Sequence, residues 1–405
     1  MIVALAWRNI WRNKKRSVVI LAAITFGLIG GLFAGAVMMG MGESMINSAI
    51  DRNLAHIQIH TNAFKDDMLI RNNIKDASHI LEKVGHLPGV KAVSARTVFE
   101  AMAASPSSSY GVHVMGVERI PEMKTTRIAE KIVQGKFLDG KYRTQAVIGK
   151  KLAERLNLKL KSKIILTYQQ RNGDLIYLSA RVVGIFKTVS SMFDGMTVFL
   201  RQKDIARSLG LAEPPVHEMA VRCINGEIVD RLQKQISAAY PALKVESWVS
   251  LDPTLAYMSS TVEIFTYFFV ALILFALLFG ITNDMLMSVV ERVRELGILM
   301  AVGLRKSRLF AMILLETIFL SLTGGLLGML IGGGLIDYFY RNGFNLGIVA
   351  KSLESFGSSS VLHPFLPVSM YVGMTLMIVV AANIAALLPA WKAMHLRPAE
   401  AIRTY

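Results

Sequence analysis

The sequence predicts a multi-pass membrane protein, four transmembrane α-helices joined to a large α+β periplasmic domain, and three observations carry that prediction. Of its 405 residues 53% are hydrophobic, and they gather into four long blocks, the composition of spans attached to a water-exposed part. Between the first two blocks, residues 43–258 show strand-like alternation and short amphipathic stretches in place of a continuous apolar run. Basic residues flank the blocks unevenly, which gives them a direction.

Residues 1–17 read as an interfacial helix. Ala4, Leu5, Trp7, Ile10 and Trp11 lie near one face, and Arg8, Arg12, Lys14, Lys15 and Arg16 supply positive charge with no acid among them. Tryptophan beside lysine and arginine suits the headgroup region of an anionic leaflet. The first span, residues 18–42, is too long for a signal-peptide core and reads as an uncleaved helix. The second, 259–290, starts with Phe265, Tyr267, Phe268 and Phe269. The third, 309–338, carries Gly324, Gly325, Gly328, Gly332, Gly333 and Gly334, and small residues let helix backbones approach closely in lipid, a packing device rather than a pore. A loop at 339–366, the fourth span at 367–390 and a tail at 391–405 complete the chain. The loop has only Arg341 and Lys351, whereas Arg292, Arg294, Arg305, Lys306 and Arg308 follow the second span and Lys392, Arg397 and Arg403 lie in the tail. That excess places both termini and residues 291–308 in the cytoplasm.

The outer domain contains an internal repeat. A strand ending in HIQIH, a helix near 77–85 and a strand at 90–102 form one β-α-β unit; a strand at 216–224, a helix at 227–239 and a strand at 243–249 form the other. In both, the helix is followed by proline and a strand, as LPGVKAV and YPALKVE. Residues 104–214 are then an insertion, with strands near 112–117, 145–148, 163–169, 175–185 and 196–200 and a hairpin turn at Asn172-Gly173.

Several chemistries are excluded or unsupported. A single cysteine, Cys223, forbids an intramolecular disulfide and a cysteine zinc site, and in a strand it reads as a small buried residue. No GxxxxGK[ST] phosphate loop occurs, so the P-loop route to ATP hydrolysis is absent from this sequence. His56 and His60 can share a strand face but lack a marked third ligand, so no metal is expected. The net positive charge comes without a groove-reading motif, and no nucleic-acid partner is expected. Glu263, Asp284, Glu316 and Asp337 lie in or beside the spans, where a carboxylate is expensive against lipid; packing or hinge roles fit them better than a proton relay.

The strongest signal is 291–308, ERVRELGILMAVGLRKSR. Val293, Leu296, Ile298, Leu299 and Val302 form an apolar side, Glu291, Arg292, Arg294 and Glu295 a charged one, and Gly297 and Gly303 leave bare backbone for a partner to approach. Gly303 also suits a helix C-cap before Arg305, Lys306 and Arg308. A short amphipathic helix docking into another protein's groove accounts for this pattern.

Three stretches, LAWRNIWRNKKRSVVI, ERVRELGILMAVGLRKSRLF and LLPAWKAMHLRPAEAIR, resemble the MacB/FtsX-like permeases of ATP-binding-cassette (ABC) systems. AVIGKKLAERLNLKLKSKI followed by VVGIF is similar to the insertion subdomain of the same family. The resemblance implies porter-like halves at 43–103 and 215–258, a sabre-like insertion at 104–214, and a coupling helix that meets a separate ABC ATPase subunit at Glu291, Arg292, Glu295, Leu296, Gly297, Ala301 and Gly303. It implies a non-catalytic subunit of the bacterial inner membrane, with ATP and Mg bound by the partner ATPase and a second permease, self or paralogue, completing the complex. Its mechanism would be mechanotransmission: ATP binding inside moves the outer domains and no substrate passes through a pore. LAHIQIHTNAF looks most like the lipoprotein-releasing (Lol-type) permeases, which implies extraction of lipoproteins from the outer leaflet for a periplasmic carrier. Met38, Met39, Met41, Met45, Met258, Phe265 and Phe268 would then supply apolar, adaptable walls for lipid chains. A MacB-type exporter of peptides or drugs with a periplasmic adaptor, and an FtsX-like regulator of a cell-wall hydrolase, are the alternatives.

Overall fold

Along the computed structural model, α1 (Ile2–Arg12) and α2 (Lys14–Ala49) lead into a π-helical turn at Ile50–Leu54, then β1 (Ile57–Thr61), α3 (Asn62–Asp66), α4 (Ala77–Gly85), β2 (Val90–Ala104) and β3 (Ser109–Val117). Next come α5 (Arg119–Thr125), β4 (Ile132–Gly135), β5 (Gln145–Gly149), α6 (Lys150–Arg155), β6 (Lys163–Gln169), β7 (Leu175–Phe186), α7 (Ser191–Met196), β8 (Thr197–Arg201) and α8 (Gln202–Ser208). The chain continues through β9 (Glu218–Cys223), α9 (Val229–Ala239), β10 (Leu243–Ser247), α10 (Trp248–Leu251), α11 (Pro253–Glu291), α12 (Val293–Ala301) and α13 (Lys306–Asn342). A two-residue ladder, β11 (Phe344–Asn345) with β12 (Val361–Leu362), precedes α13's successor α14 (Val368–Met394). The structure describes residues 2–12, 14–66, 68–140, 142–170, 173–302, 304–347 and 361–395.

Among the described residues four helices are long and apolar enough to cross a membrane, Ser17–Leu54, Pro253–Glu291, Lys306–Asn342 and Val368–Met394. They outrun the bounds expected from hydropathy because hydropathy marks only the part in lipid. At about 1.5 Å per residue, the 39 residues of α11 reach roughly 58 Å, nearly twice the hydrocarbon thickness.

The membrane unit comprises residues 1–42, 260–346 and 361–405. Its core joins Ile20, Ile24, Leu28 and Leu32 of α2 to Val270, Ile281 and Met285 of α11, Leu320 and Ile336 of α13 and Met370, Met374 and Ile378 of α14. Of the six glycines expected to let helices approach, Gly324, Gly325, Gly328, Gly332 and Gly333 do so, whereas Gly334 faces open space. A Cβ on Gly328 would stand 3.0 Å from Leu28 Cβ, and one on Gly324 3.1 Å from Ile24; Thr25 donates across this contact to the Gly324 carbonyl at 3.2 Å. Gly325 and Gly333 face α14 instead, at Val379 and Tyr371.

The α+β unit covers the described residues of 43–259. The two β-α-β repeats interleave: the strand order β10-β1-β9-β2 with every pair antiparallel is the split β-α-β arrangement. Ile57, Ile59, Met219, Val221 and Val245 from the strands pack on Ile80 and Val84 of α4 and Leu232 and Ile236 of α9. The insertion extends the same sheet. β2 is 15 residues long, and its second half pairs with β3 and β6. Pairing then runs β3-β8-β5-β7, and β6 joins β7 back to β2, closing a ring of six strands around Phe99, Val114, Ile148, Leu166, Tyr168, Leu178 and Val198. At the predicted hairpin, Gly173 has φ +92° and Gln170 N–H bonds Asp174 O at 2.8 Å; Asn172 lies outside the described residues.

Candidate functional site

The short helix α12 begins at Arg292, whose backbone (φ −108°, ψ 14°) breaks α11. Contrary to the charged outer side expected for it, the Arg292 side chain turns inward and is 8% exposed. Its Nη1 lies 3.5 Å from Glu316 on α13 and its Nε 3.3 Å from Glu295. Glu316, 3% exposed, thereby gains a cation at a depth where an unpaired carboxylate would be expensive. Arg12 of α1 pairs with Glu295, so alternating charges Arg12, Glu295, Arg292 and Glu316 connect α1, α12 and α13. Leu296 joins an apolar cluster with Ala6, Val289, Leu309, Met312, Ile313, Ala390 and Ala393. Trp7 meets Phe319 edge to face at 5.6 Å.

The apolar side predicted for this segment is therefore divided. Leu296 and Gly297 are buried, which corrects the expectation that Gly297 offers bare backbone to a partner: one face of a nine-residue helix is consumed by docking onto its own bundle. Ile298, Leu299 and Val302 remain outside, Val302 at 83% exposure. Glu291, Arg294, Ala301, Arg305, Lys306 and Arg308 are also exposed. Gly303 lies outside the described residues. The result is an apolar patch rimmed by cations, carried on a helix held by ion pairs and a packed leucine.

Of the residues predicted to line a lipid-chain cavity, Met38, Met39 and Met41 are half-buried on α2, and Met39 packs on the helix core. Phe265 and Phe268 point outward from α11 at 50% and 60% exposure. Met45 is buried and Met258 half-buried, both within the α+β unit.

A second charged constellation escaped the sequence reading. The π-helical turn ends at Ala55, whose φ of +54° is a strained value for a residue with a Cβ. Arg96, fully buried, donates to the Asn53 carbonyl at 2.6 Å, to Glu218 at 2.6 Å and to both oxygens of Glu122 at 3.0 and 2.8 Å. Ser94 and Thr126 donate to the same Glu122 carboxylate at 2.7 and 2.9 Å. Burial opposes the Arg96 charge, and the two glutamates more than offset it, holding the guanidinium pKa above its ordinary value. Asp51 pairs with Arg222 at 2.7 Å and its carbonyl accepts from Arg127 N–H at 2.8 Å. One guanidinium thus ties β2, α5 of the insertion, β9 of the second repeat and the π-helical turn that follows α2. The available signal was an arginine amid the alternating apolar residues of VSARTVF.

His56 and His60 are each engaged within the fold. Cys223 N–H donates to His56 Nδ1 at 3.2 Å, and burial, with Arg222 nearby, lowers the His56 pKa to about 4. His60 Nε2 lies 2.8 Å from Glu246. Among the described residues no three His, Cys, Asp or Glu side chains are placed to hold a metal. Cys223 is 1% exposed, and burial pushes its thiol up to about 11. The α+β unit also has a cleft of about 830 Å³ lined by residues that include Asp76, His79, Glu118, Gln202 and Pro214.

Residues 17–239 match the MacB-like periplasmic core domain and residues 267–398 the FtsX-like permease C-terminal domain. An uncharacterized ABC transporter permease of Methanocaldococcus jannaschii is 24% identical over 67% of this chain and 65% of that protein. The macrolide export ATP-binding/permease protein MacB of Bordetella avium is 26% identical over 66% of this chain and 42% of its own length. The pyoverdine export ATP-binding/permease protein PvdT of Pseudomonas putida is 25% identical over 89% and 56%. The chain thus spans between about two fifths and two thirds of the length of these relatives. Among solved structures, the periplasmic region of MacB from Actinobacillus actinomycetemcomitans aligns with 51% of this chain and 94% of that one, at 10% identity and a TM-score of 0.35.

Proposed function

This chain belongs to the MacB/FtsX family of ABC transporter permeases, and we propose that it is the membrane subunit that receives ATP-driven motion at α12 and passes it to the α+β unit. The observation carrying this reading is the two-sidedness of α12. Arg292 and Leu296 fasten it to α13 and the bundle, while Ile298, Leu299 and Val302 present apolar surface outward. A partner pressing on that patch moves α12 with the helices it is fastened to, and α12 follows α11 with only Arg292 between. In this reading ATP hydrolysis belongs to a separate ABC ATPase subunit and a second permease completes the complex; the basic flanks support a cytoplasmic side for α12 and both termini.

The cargo we assign is an acylated lipoprotein taken from the outer leaflet. Phe265 and Phe268, exposed on α11, with the methionines of α2, supply walls that adapt to acyl chains. Export of a peptide or drug is the second reading, favoured by the macrolide and pyoverdine export printed in the names of the MacB and PvdT relatives.

Purification of the complex from native membranes with a hydrolysis-deficient ATPase, followed by mass spectrometry, tests both. Trapped acylated proteins are expected. A periplasmic adaptor and an outer-membrane channel in their place favour export, and a preparation without any ABC ATPase removes the coupling assignment altogether.

A further inference from the structure

At one end of the membrane unit a cleft of about 790 Å³ opens between the start of α2 and the end of α11 with α12. Its walls carry opposite charge. Lys14 and Lys15 stand on the α2 side, and Asp284 and Glu291 on the α11 side. Val19 and Met287, at 54% and 59% exposure, supply apolar surface along the same cleft.

The other charged residues lining the cleft are already satisfied: Arg12 pairs with Glu295, and Arg292 with Glu295 and Glu316. Lys14, Lys15, Asp284 and Glu291 make no ion pair among the described residues. Asp284 is half-buried and lies about two turns inside the end of an apolar helix, a depth at which a carboxylate without a counter-charge is costly. A ligand that fits must bring an anion to the lysines and a cation to the carboxylates, and must have apolar chains to lie along Val19 and Met287.

We propose that this cleft binds a phospholipid with a phosphoethanolamine headgroup, its phosphodiester at Lys14 and Lys15 and its ammonium at Asp284 and Glu291. A purely anionic headgroup satisfies the lysines and leaves both acids facing negative charge. A choline headgroup carries the right charges but has no N–H to donate to the carboxylates, so it forfeits the charge-assisted hydrogen bonds that a primary ammonium makes. Because Arg292 and Glu295 line the same cleft, the bound headgroup lies directly against the root of α12. The inference stands on the membrane unit alone and does not depend on the cargo or on an ATPase partner.

The test is native mass spectrometry of the purified full chain, released from nanodiscs holding equal amounts of phosphatidylethanolamine, phosphatidylglycerol and phosphatidylcholine. The unaltered chain is expected to retain phosphatidylethanolamine about tenfold over phosphatidylcholine, the discrimination of one charge-assisted hydrogen bond. Lys14→Gln with Lys15→Gln, both at exposed positions, should abolish retention of any lipid above background. Asp284→Asn with Glu291→Gln should bring the two zwitterionic lipids to equal retention. Equal retention of all three lipids by the unaltered chain, preference for phosphatidylglycerol, or an unchanged preference in the acid-neutralised chain would each overturn the proposal. Circular dichroism of each variant separates lost binding from lost fold. If the double acid variant does not fold, Glu291→Gln alone, at an exposed position, must lower the preference.

Discussion

Two arginines in this molecule each bridge two glutamates, and they are built for different work. Arg96 makes four hydrogen bonds to carboxylate and carbonyl oxygens of 2.6–3.0 Å in a fully buried site. Its acceptor Glu122 is itself satisfied by Ser94 and Thr126. Arg292 contacts its partners at 3.3 and 3.5 Å, and one of them, Glu295, has a side chain 51% exposed and shared with Arg12. A saturated buried network has one arrangement of low energy, whereas a looser half-exposed chain of alternating charges can exchange partners. The first suits a fixed arrangement, the second a contact that can shift.

Arg96→Met gives the largest expected effect. It takes the guanidinium from Glu218 and the Asn53 carbonyl and leaves Glu122 only the Ser94 and Thr126 hydroxyls, and breaking a buried pair from one side costs about 3–5 kcal/mol, to be read from denaturant unfolding and from hydrogen exchange in β2 and β9. A loss under about 1 kcal/mol would erase the contrast with Arg292. Arg292→Met is expected to cost less, about 1–3 kcal/mol, because the buried Glu316 loses one 3.5 Å contact where Arg96→Met strips four hydrogen bonds, and Glu295 keeps Arg12 and water; its signature is faster exchange in α12 with the β-sheet unchanged. Glu295→Gln removes only a half-exposed partner and should change stability by no more than about 0.5 kcal/mol, a shift visible in thermal melts only if the charge chain is stiffer than its geometry implies.

The smallest expected effect is a pH dependence that cancels. Burial lowers the His56 pKa from 6.5 to about 4, so the stability from keeping it neutral is complete above pH 6.5 and is lost as pH falls toward 4. Burial raises Asp194 from 3.8 to about 6, against the hydrogen bonds it accepts from Thr188, so the folded state takes up its proton first and gains relative stability as pH falls from about 6 toward 3.8. The two slopes oppose each other between pH 4 and 6. Melting temperatures across that window should be nearly level for the unaltered chain, fall more steeply in acid for Asp194→Asn, and rise in acid for His56→Gln.

How far the sequence could be read follows from the range of each signal. Spans, repeat helices and strands were legible because hydrophobic periodicity is local: the apolar blocks, the glycines of α13 and the alternation in HIQIH each act within a few turns of chain. The predicted helix at 77–85 and strand at 243–249 correspond to α4 and β10, although the latter stops at Ser247, where the backbone turns into α10. Which way α12 faces was not legible. Leu296 and Ile298 are both apolar, and only the presence of Ala6, Met312 and Ala390 around Leu296 buries one and leaves the other out.

By itself, then, the sequence determined the membrane class, the four spans, the duplicated β-α-β pattern and the family, because each is written in composition, period or contiguous motif. The tertiary structure alone decided that β6 closes a ring between β2 and β7, that Gly297 and Arg292 turn inward, and that Arg96 gathers Asn53, Glu122 and Glu218 around it. The physical reason is separation along the chain. Arg96 meets groups 26 to 122 residues away, and no spacing rule reaches that far, since a buried charge specifies only that it needs a partner and leaves the packing of the whole sheet to supply which one.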